Sequence, residues 1–220
     1  YQNKIYGPST LRRGIEQSRH VMTVRLADEL GMTKIIDLAT RLGIYEKLPR
    51  QLAMALGAGE TTLLKMVTAY AMIDNGGRRV EPTLIDRIQD RYGKTIFKHD
   101  KRDCAACMAP DWSADLPEPE LLDVSEQVMN PYTAYQITSM MEGVVERGTG
   151  KKVQVVGKPV AGKTGTSNEE RDAWFIGFTP DLVVGTYVGF DNPKPMGKGR
   201  TGGELVAPIV ADFMKMALKD

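Results

Sequence analysis

Apolar residues recur at helical spacing through the first part of the chain and in strand-like runs through the last. In STLRRGIEQSRHVMTVRLADEL, residues 9 to 30, Val21 and Val24, and Met22, Leu26 and Leu30, fall three and four apart. That is the period of one helix face. Ser9 is the expected N-cap, and the pattern predicts a break near Ser18. A second helix is predicted in TKIIDLATRLG, with Thr33 as cap and Gly43 just past its end. A third lies in TTLLKMVTAYAMIDNGG, capped by Thr61 and stopped by Gly76 and Gly77. Residues 83 to 98 alternate and turn at Tyr92-Gly93, which reads as a hairpin. Residues 99 to 124 carry prolines and both cysteines and read as a loop insertion. A fourth helix is predicted from Pro131 to Glu146, with Asn130 as cap, proline in the first turn and Gly148 at its end.

The last third changes character. DAWFIGFTP and LVVGTYVGFD are strand-like runs joined by Thr179-Pro180-Asp181, an antiparallel hairpin signal. A Gly/Pro/Lys-rich loop at 191 to 203 follows, and then an amphipathic helix in ELVAPIVADFMKMALK. Helices first and an antiparallel sheet afterwards make an α+β arrangement.

Composition narrows the classes. The 220 residues are 42% hydrophobic and 26% charged, ordinary for a folded domain. A net charge of +1 lacks the basic excess of a nucleic-acid binder, so no nucleic-acid partner is expected. No run reaches the roughly 18 apolar residues of a membrane helix. The chain opens in polar sequence without Met, so it is expected to be a piece of a longer protein. The cysteines form Cys104-Ala-Ala-Cys107, and the only histidines are His20 and His99. A zinc site needs a second ligand pair, so no metal and no cofactor is expected. The flanks do not resemble the helix start of a redox CxxC site, which leaves a structural disulfide or two free thiols.

The chemistry concentrates in one segment. Gly157 to Thr164, GKPVAGKT, fits the phosphate-binding G-x-x-x-x-G-K-[ST] pattern. It also contains Lys163-Thr164-Gly165, a K-T-G. A P-loop requires a preceding strand and a helix that starts at Lys-Thr. VQVVG upstream is a candidate strand, but TGTSNEERDAWFIGF is a poor helix start. The two strand-like runs that follow are too close together for a crossover helix. The alternative makes 161 to 167 an edge strand. Lys163 then offers an ammonium, Thr164 and Thr166 offer hydroxyls or N–H groups to a carboxylate, and Gly165 lets a peptide backbone approach.

Five blocks carry a wider resemblance: YGPSTLRRGIEQSRHVMTVRLADELG, ALGAGETTLLKMVTAYAMIDNGG, ITSMMEGVVERGTG, GKTGTSNEERDAWFIGFTPDLVVGTYVGFD and GGELVAPIVADFM. In this order they resemble the transpeptidase domain of class A, bifunctional penicillin-binding proteins of the 1A type. The resemblance implies a penicillin-binding-protein/serine β-lactamase-like α+β fold, an antiparallel sheet packed against helices. It implies peptidoglycan D,D-transpeptidation through a serine acyl-enzyme, with stem peptides ending in D-Ala-D-Ala and β-lactams as ligands and with no cofactor. It further implies a parent chain with a glycosyltransferase domain and a membrane anchor, on the outer face of the bacterial inner membrane, and cell-wall assembly proteins as partners. Lys163 resembles the K-T-G lysine and Ser18 the serine of S-x-N, which relays a proton toward the leaving nitrogen. Thr164, Gly165 and Thr166 resemble substrate-contacting positions, with the Thr166 N–H as an oxyanion donor.

Two departures stand out. His20 occupies the position of the S-x-N asparagine; a neutral imidazole also has one donor and one acceptor but titrates near neutral pH. No serine of the chain is followed three residues later by lysine, the S-x-x-K of the nucleophile. Thr62-Leu63-Leu64-Lys65 is a near miss that reads as a helix start. The expectation is a fragment that begins after the nucleophile, without the N-terminal part of the fold, and inactive alone. A non-catalytic peptidoglycan- or partner-binding module of the same fold is the alternative, and a nucleotide-binding protein a third.

Overall fold

The computed structural model describes residues 6–102, 104, 107, 113, 115–119 and 121–219. By contacts the chain forms two compact units, one of residues 1–80 and 127–220 and one of residues 81–126.

The larger unit begins with α1 (Leu11–Glu16), α2 (His20–Leu30) and α3 (Met32–Arg41). The cap of α1 is Thr10, whose Oγ1 accepts from the Arg13 N–H at 3.2 Å. Ser9 does not cap; its hydroxyl donates to the Gly7 carbonyl. The break near Ser18 is present, and the segment breaks again at Gly31, from which α3 starts without a side-chain cap. Thr33 therefore lies inside α3 and is not its cap. Gly43 follows that helix with φ 69°, the left-handed ending that glycine adopts at low cost. Helix α4 (Leu63–Asp74) is capped by Thr62, which accepts from the Lys65 N–H. Thr61, the expected cap, instead donates to the Ile44 carbonyl at 2.9 Å. Each misplaced cap falls within two residues of the observed helix start, because a cap depends on backbone geometry that local sequence does not resolve.

Helix α5 (Pro131–Glu146) has the expected cap, Asn130 accepting from Tyr132 N and Thr133 N. Residues Lys151–Val156 form a 3-10 segment, so VQVVG is not a strand. Three antiparallel strands follow in the order β3 (Ala161–Thr166), β4 (Asp172–Thr179), β5 (Leu182–Gly189). The register pairs Lys163 with Ile176, Thr164 with Phe175 and Thr166 with Ala173. One turn of π-helix (Gly202–Val206) leads into α6 (Ala207–Ala217).

Side chains alternate across a strand, so each sheet face has its own core. Phe175 and Ala173 pack with Val206, Val210, Ala211 and Met214 on the α6 side. Phe178 packs with Met141 of α5 and Tyr70 of α4 on the other, its ring edge-to-face with Tyr70 at 6.2 Å. The result is helix on sheet on helices, with β3 at one edge of the sheet.

The smaller unit holds the hairpin β1 (Arg87–Gln89) and β2 (Thr95–Lys98), whose register shifts between Ile88 and Gln89. Cys104 and Cys107 are joined by a disulfide. The predicted loop 99–124 lies in part outside the described residues; its described part falls within this unit, together with the hairpin. Among the described residues no helix is long and apolar enough to cross a membrane, and no group of three or more His, Cys, Asp or Glu is placed to hold a metal ion.

Candidate active site

The site assembles where the α1–α2 corner meets the edge strand β3. Helix α1 ends with the Ser18 N–H donating to Ile15 O and the Arg19 N–H donating to Gly14 O. That is the pair of bonds of a left-handed helix ending, in which glycine usually occupies the position Ser18 holds. Ser18 takes φ 52° there, a conformation that costs a residue with a side chain about 1 kcal/mol or more. The hydroxyl that results accepts from Lys163 Nζ at 2.9 Å.

Contacts around α1 hold this corner against the end of α5. The buried Glu16 carboxylate accepts from Arg147 at 2.6 Å, Gln17 donates to the Arg147 carbonyl, and the Thr149 N–H donates to the Glu16 carbonyl. Arg12 reaches both the carbonyl and the hydroxyl of Ser139. These bonds join residues some 130 positions apart in sequence, so Ser18 is placed by tertiary contacts.

Lys163 bonds to the Thr164 carbonyl as well, at 2.9 Å. Burial pushes its ammonium down to about 8, since a desolvated cation loses its proton more readily. His20, the first residue of α2, is held below the ordinary histidine range by burial and then by the Lys163 charge. It is therefore neutral at pH 7.

The strand geometry decides what the edge offers. The Ser167 N–H donates to Asp172 O, which makes that pair a bonded one. Bonded and open pairs alternate in an antiparallel ladder, so Lys163 and Gly165 turn their backbone toward β4. The N–H and C=O groups of Thr164 and Thr166 face outward. Among the described residues no strand pairs with that edge. Gly165 is in register with Trp174, and a Cβ added to it would lie 3.2 Å from the Trp174 Cβ.

The threonine hydroxyls already have partners. Thr164 Oγ1 lies 2.6 Å from Thr149 Oγ1, and Thr166 Oγ1 accepts from the Gly202 N–H at 3.0 Å. Sequence reasoning gave Thr149 and Gly202 no role. Their only signal was membership in two of the five blocks, RGTG and GGELV. Cys104 and Cys107 lie in the other unit. Thr62, the near miss, caps α4, and Lys65 lies 3.8 Å from Glu46 in an exposed ion pair.

The geometry removes the P-loop. The G-K-T residues lie in a strand, a 3-10 segment precedes it, and β4 returns antiparallel without an intervening α-helix. A sheet-edge lysine bonded to a serine at a helix break, on a helix–sheet–helix sandwich, instead defines a penicillin-binding-protein/serine β-lactamase-like α+β protein. The family model for the penicillin-binding protein transpeptidase domain matches residues 1–215. Penicillin-binding protein 1A of Rickettsia conorii (strain ATCC VR-613 / Malish 7) is 45% identical over 225 residues, covering 100% of this chain and 28% of that protein. The chain thus spans about a quarter of that relative's length. The crystal structure of penicillin-binding protein 1A from Haemophilus influenzae superposes with a TM-score of 0.82 at 28% identity, covering 99% of this chain and 35% of that one. At 21% identity the PonA1 protein of Mycobacterium tuberculosis, solved in complex with penicillin V, shares the fold with a TM-score of 0.77, over 99% of this chain and 58% of that one. The chain belongs to the penicillin-binding protein transpeptidase family, and the Rickettsia and Haemophilus relatives are of the 1A type.

Proposed function

We propose that these residues are part of a peptidoglycan D,D-transpeptidase domain that cross-links stem peptides through a serine acyl-enzyme. The acylated serine comes from the parent chain outside these residues, which alone do not form the acyl-enzyme. The observation that carries this reading is the Lys163–Ser18 hydrogen bond beside the outward-facing backbone of β3.

In the proposed reaction the peptide lies along β3 as an added strand. Thr164 and Thr166 receive its terminal carboxylate, and the Thr166 N–H stabilises the oxyanion as the nucleophile attacks the penultimate carbonyl. Ser18, kept in place by the Lys163 ammonium, passes a proton to the departing D-Ala nitrogen. An amine of a neighbouring stem then resolves the acyl-enzyme. β-Lactams acylate the same serine; the PonA1 structure with penicillin V supports a β-lactam site on this fold. Residues 1–220 then form one piece of one transpeptidase domain, with 99–124 as an insertion carrying the disulfide. The parent also carries a glycosyltransferase domain and an N-terminal anchor that holds it to the outer face of the inner membrane, where cell-wall assembly proteins meet it.

Fluorescent penicillin tests the reading. The 220-residue chain is expected to take no covalent label, whereas the full-length parent labels at one serine of an S-x-x-K. A full-length protein that refuses label would leave a non-catalytic stem-peptide binder, and a labelled fragment would overturn the assignment of the nucleophile.

His20 adds a pH dependence. At neutral pH its imidazole offers an acceptor, which protonation removes. Its titration lies below the ordinary histidine range, so the acylation rate of the full-length protein should fall in mildly acid solution by roughly fivefold, the worth of about one hydrogen bond. His20→Asn should flatten that acid limb. Parallel profiles for the two proteins would show that His20 does not face the ligand.

A further inference from the structure

Thr149 Oγ1 and Thr164 Oγ1 lie 2.6 Å apart, and either could be the donor. A threonine hydroxyl has one proton and can donate once. In a bonded pair one partner donates and the other accepts. If Thr164 donates to Thr149, its proton is used and it meets a carboxylate only as an acceptor, which is repulsive. If Thr149 donates to Thr164, the Thr164 proton is free for the ligand. A hydroxyl that accepts one hydrogen bond is also polarised to donate the next more strongly.

Thr149 is well fixed for this task. Its N–H donates to the Glu16 carbonyl, in the same corner that carries Ser18. The Gly203 backbone packs against its carbonyl, where a Cβ could not fit. Its backbone is therefore held by α1 on one side and by the π-helical turn on the other, and its hydroxyl bonds to Thr164 on β3.

We propose that Thr149 is a positioning residue that aims the Thr164 hydroxyl proton at the terminal carboxylate of the stem peptide or β-lactam. The chain runs Thr149 O–H to Thr164 Oγ1, then Thr164 O–H to carboxylate oxygen. Thr149 itself does not touch the ligand. The inference rests on the reading of Thr164 as a carboxylate contact.

The test uses the full-length protein and two probes, a penicillin with its free carboxylate and the same penicillin as its methyl ester. Thr149→Val keeps the shape and removes the proton. For the free acid it should raise the half-saturating concentration for acylation about tenfold, with the saturating rate changed less than about threefold. Thr149→Ser should restore the wild-type value to within about twofold. For the ester, which carries no charge to receive the proton, Thr149→Val and wild type should coincide. Should the valine variant fail to fold, Thr149→Ala removes the same hydroxyl and carries the acid-versus-ester comparison. Equal losses for acid and ester, or a loss confined to the saturating rate, would mean that Thr149 is only a packing residue. Thr164→Val separates the two readings. If it leaves acid binding unchanged, the carboxylate assignment fails and this inference with it. If it weakens acid binding while Thr149→Val does not, only the inference about Thr149 fails.

Discussion

Lys163→Ala should lower penicillin acylation of the full-length protein by about 10²–10³, the scale of removing one preorganised hydrogen-bond donor from an acyl-transfer site. The substitution removes both bonds that its ammonium makes, to Ser18 Oγ and to the Thr164 carbonyl. It leaves the strand intact, because the backbone pairing of Lys163 with Ile176 needs no side chain. The variant should therefore fold and still fail to label. A second measurement isolates the charge. With the ammonium pushed down to about 8, wild-type acylation should decline as pH rises through about 8, where the proton leaves. The stability effect has the opposite sign. The folded-state value lies below that of the exposed, unfolded side chain, so the buried charge opposes folding below pH 8. That penalty is relieved as pH rises from about 8 into the ordinary lysine range. Acylation that stays flat from pH 7 to 9 would show that the neutral amine serves equally well and that the cation is not what the ligand requires.

Phe175→Ala should produce the largest loss of stability, about 3–5 kcal/mol, read from chemical denaturation. The ring is fully buried and sits in the α6-side core. Its surroundings explain why the cost falls at the high end. Cβ atoms added at Gly150, Gly162 and Gly177 would lie 3.0, 2.8 and 2.7 Å from its ring atoms. The ring thus rests in a slot walled by backbone at three glycines, and walls without side chains cannot collapse into the vacated space. Phe175 is also the cross-strand partner of Thr164, so the cavity opens directly behind the edge strand. Acylation should weaken in the same variant at temperatures where it remains folded. A loss below about 1.5 kcal/mol, typical of volume-conserving swaps, would mean that the neighbouring helix closes the gap.

Much of this was legible in the chain, for identifiable reasons. Helices α2 to α5 have strong local signals, in apolar spacing, Asn130-Pro131 and Gly43. The β4–β5 hairpin was visible because two apolar runs flank a Thr-Pro-Asp turn too short for any crossover. The edge strand was harder. GKPVAGKT satisfies two incompatible patterns, and the sheet is favoured by the poor helix start after Lys163 together with the close spacing of the next two strand-like runs. Cap residues were misplaced by one or two positions at Ser9, Thr33 and Thr61, where neighbouring residues of similar cap propensity compete and backbone geometry chooses.

The composition and order of motifs in the chain determined an α+β protein with a lysine-bearing edge strand, because periodicity and turn chemistry are local properties. What the edge faces is not local. Ser18 meets Lys163 across 145 positions, and Thr149 meets Thr164 although no pattern links them. The strained turn of Ser18 is sustained by bonds from α5 and its following loop. Those relations depend on which surfaces come together when the two cores form, and so only the tertiary structure decided them.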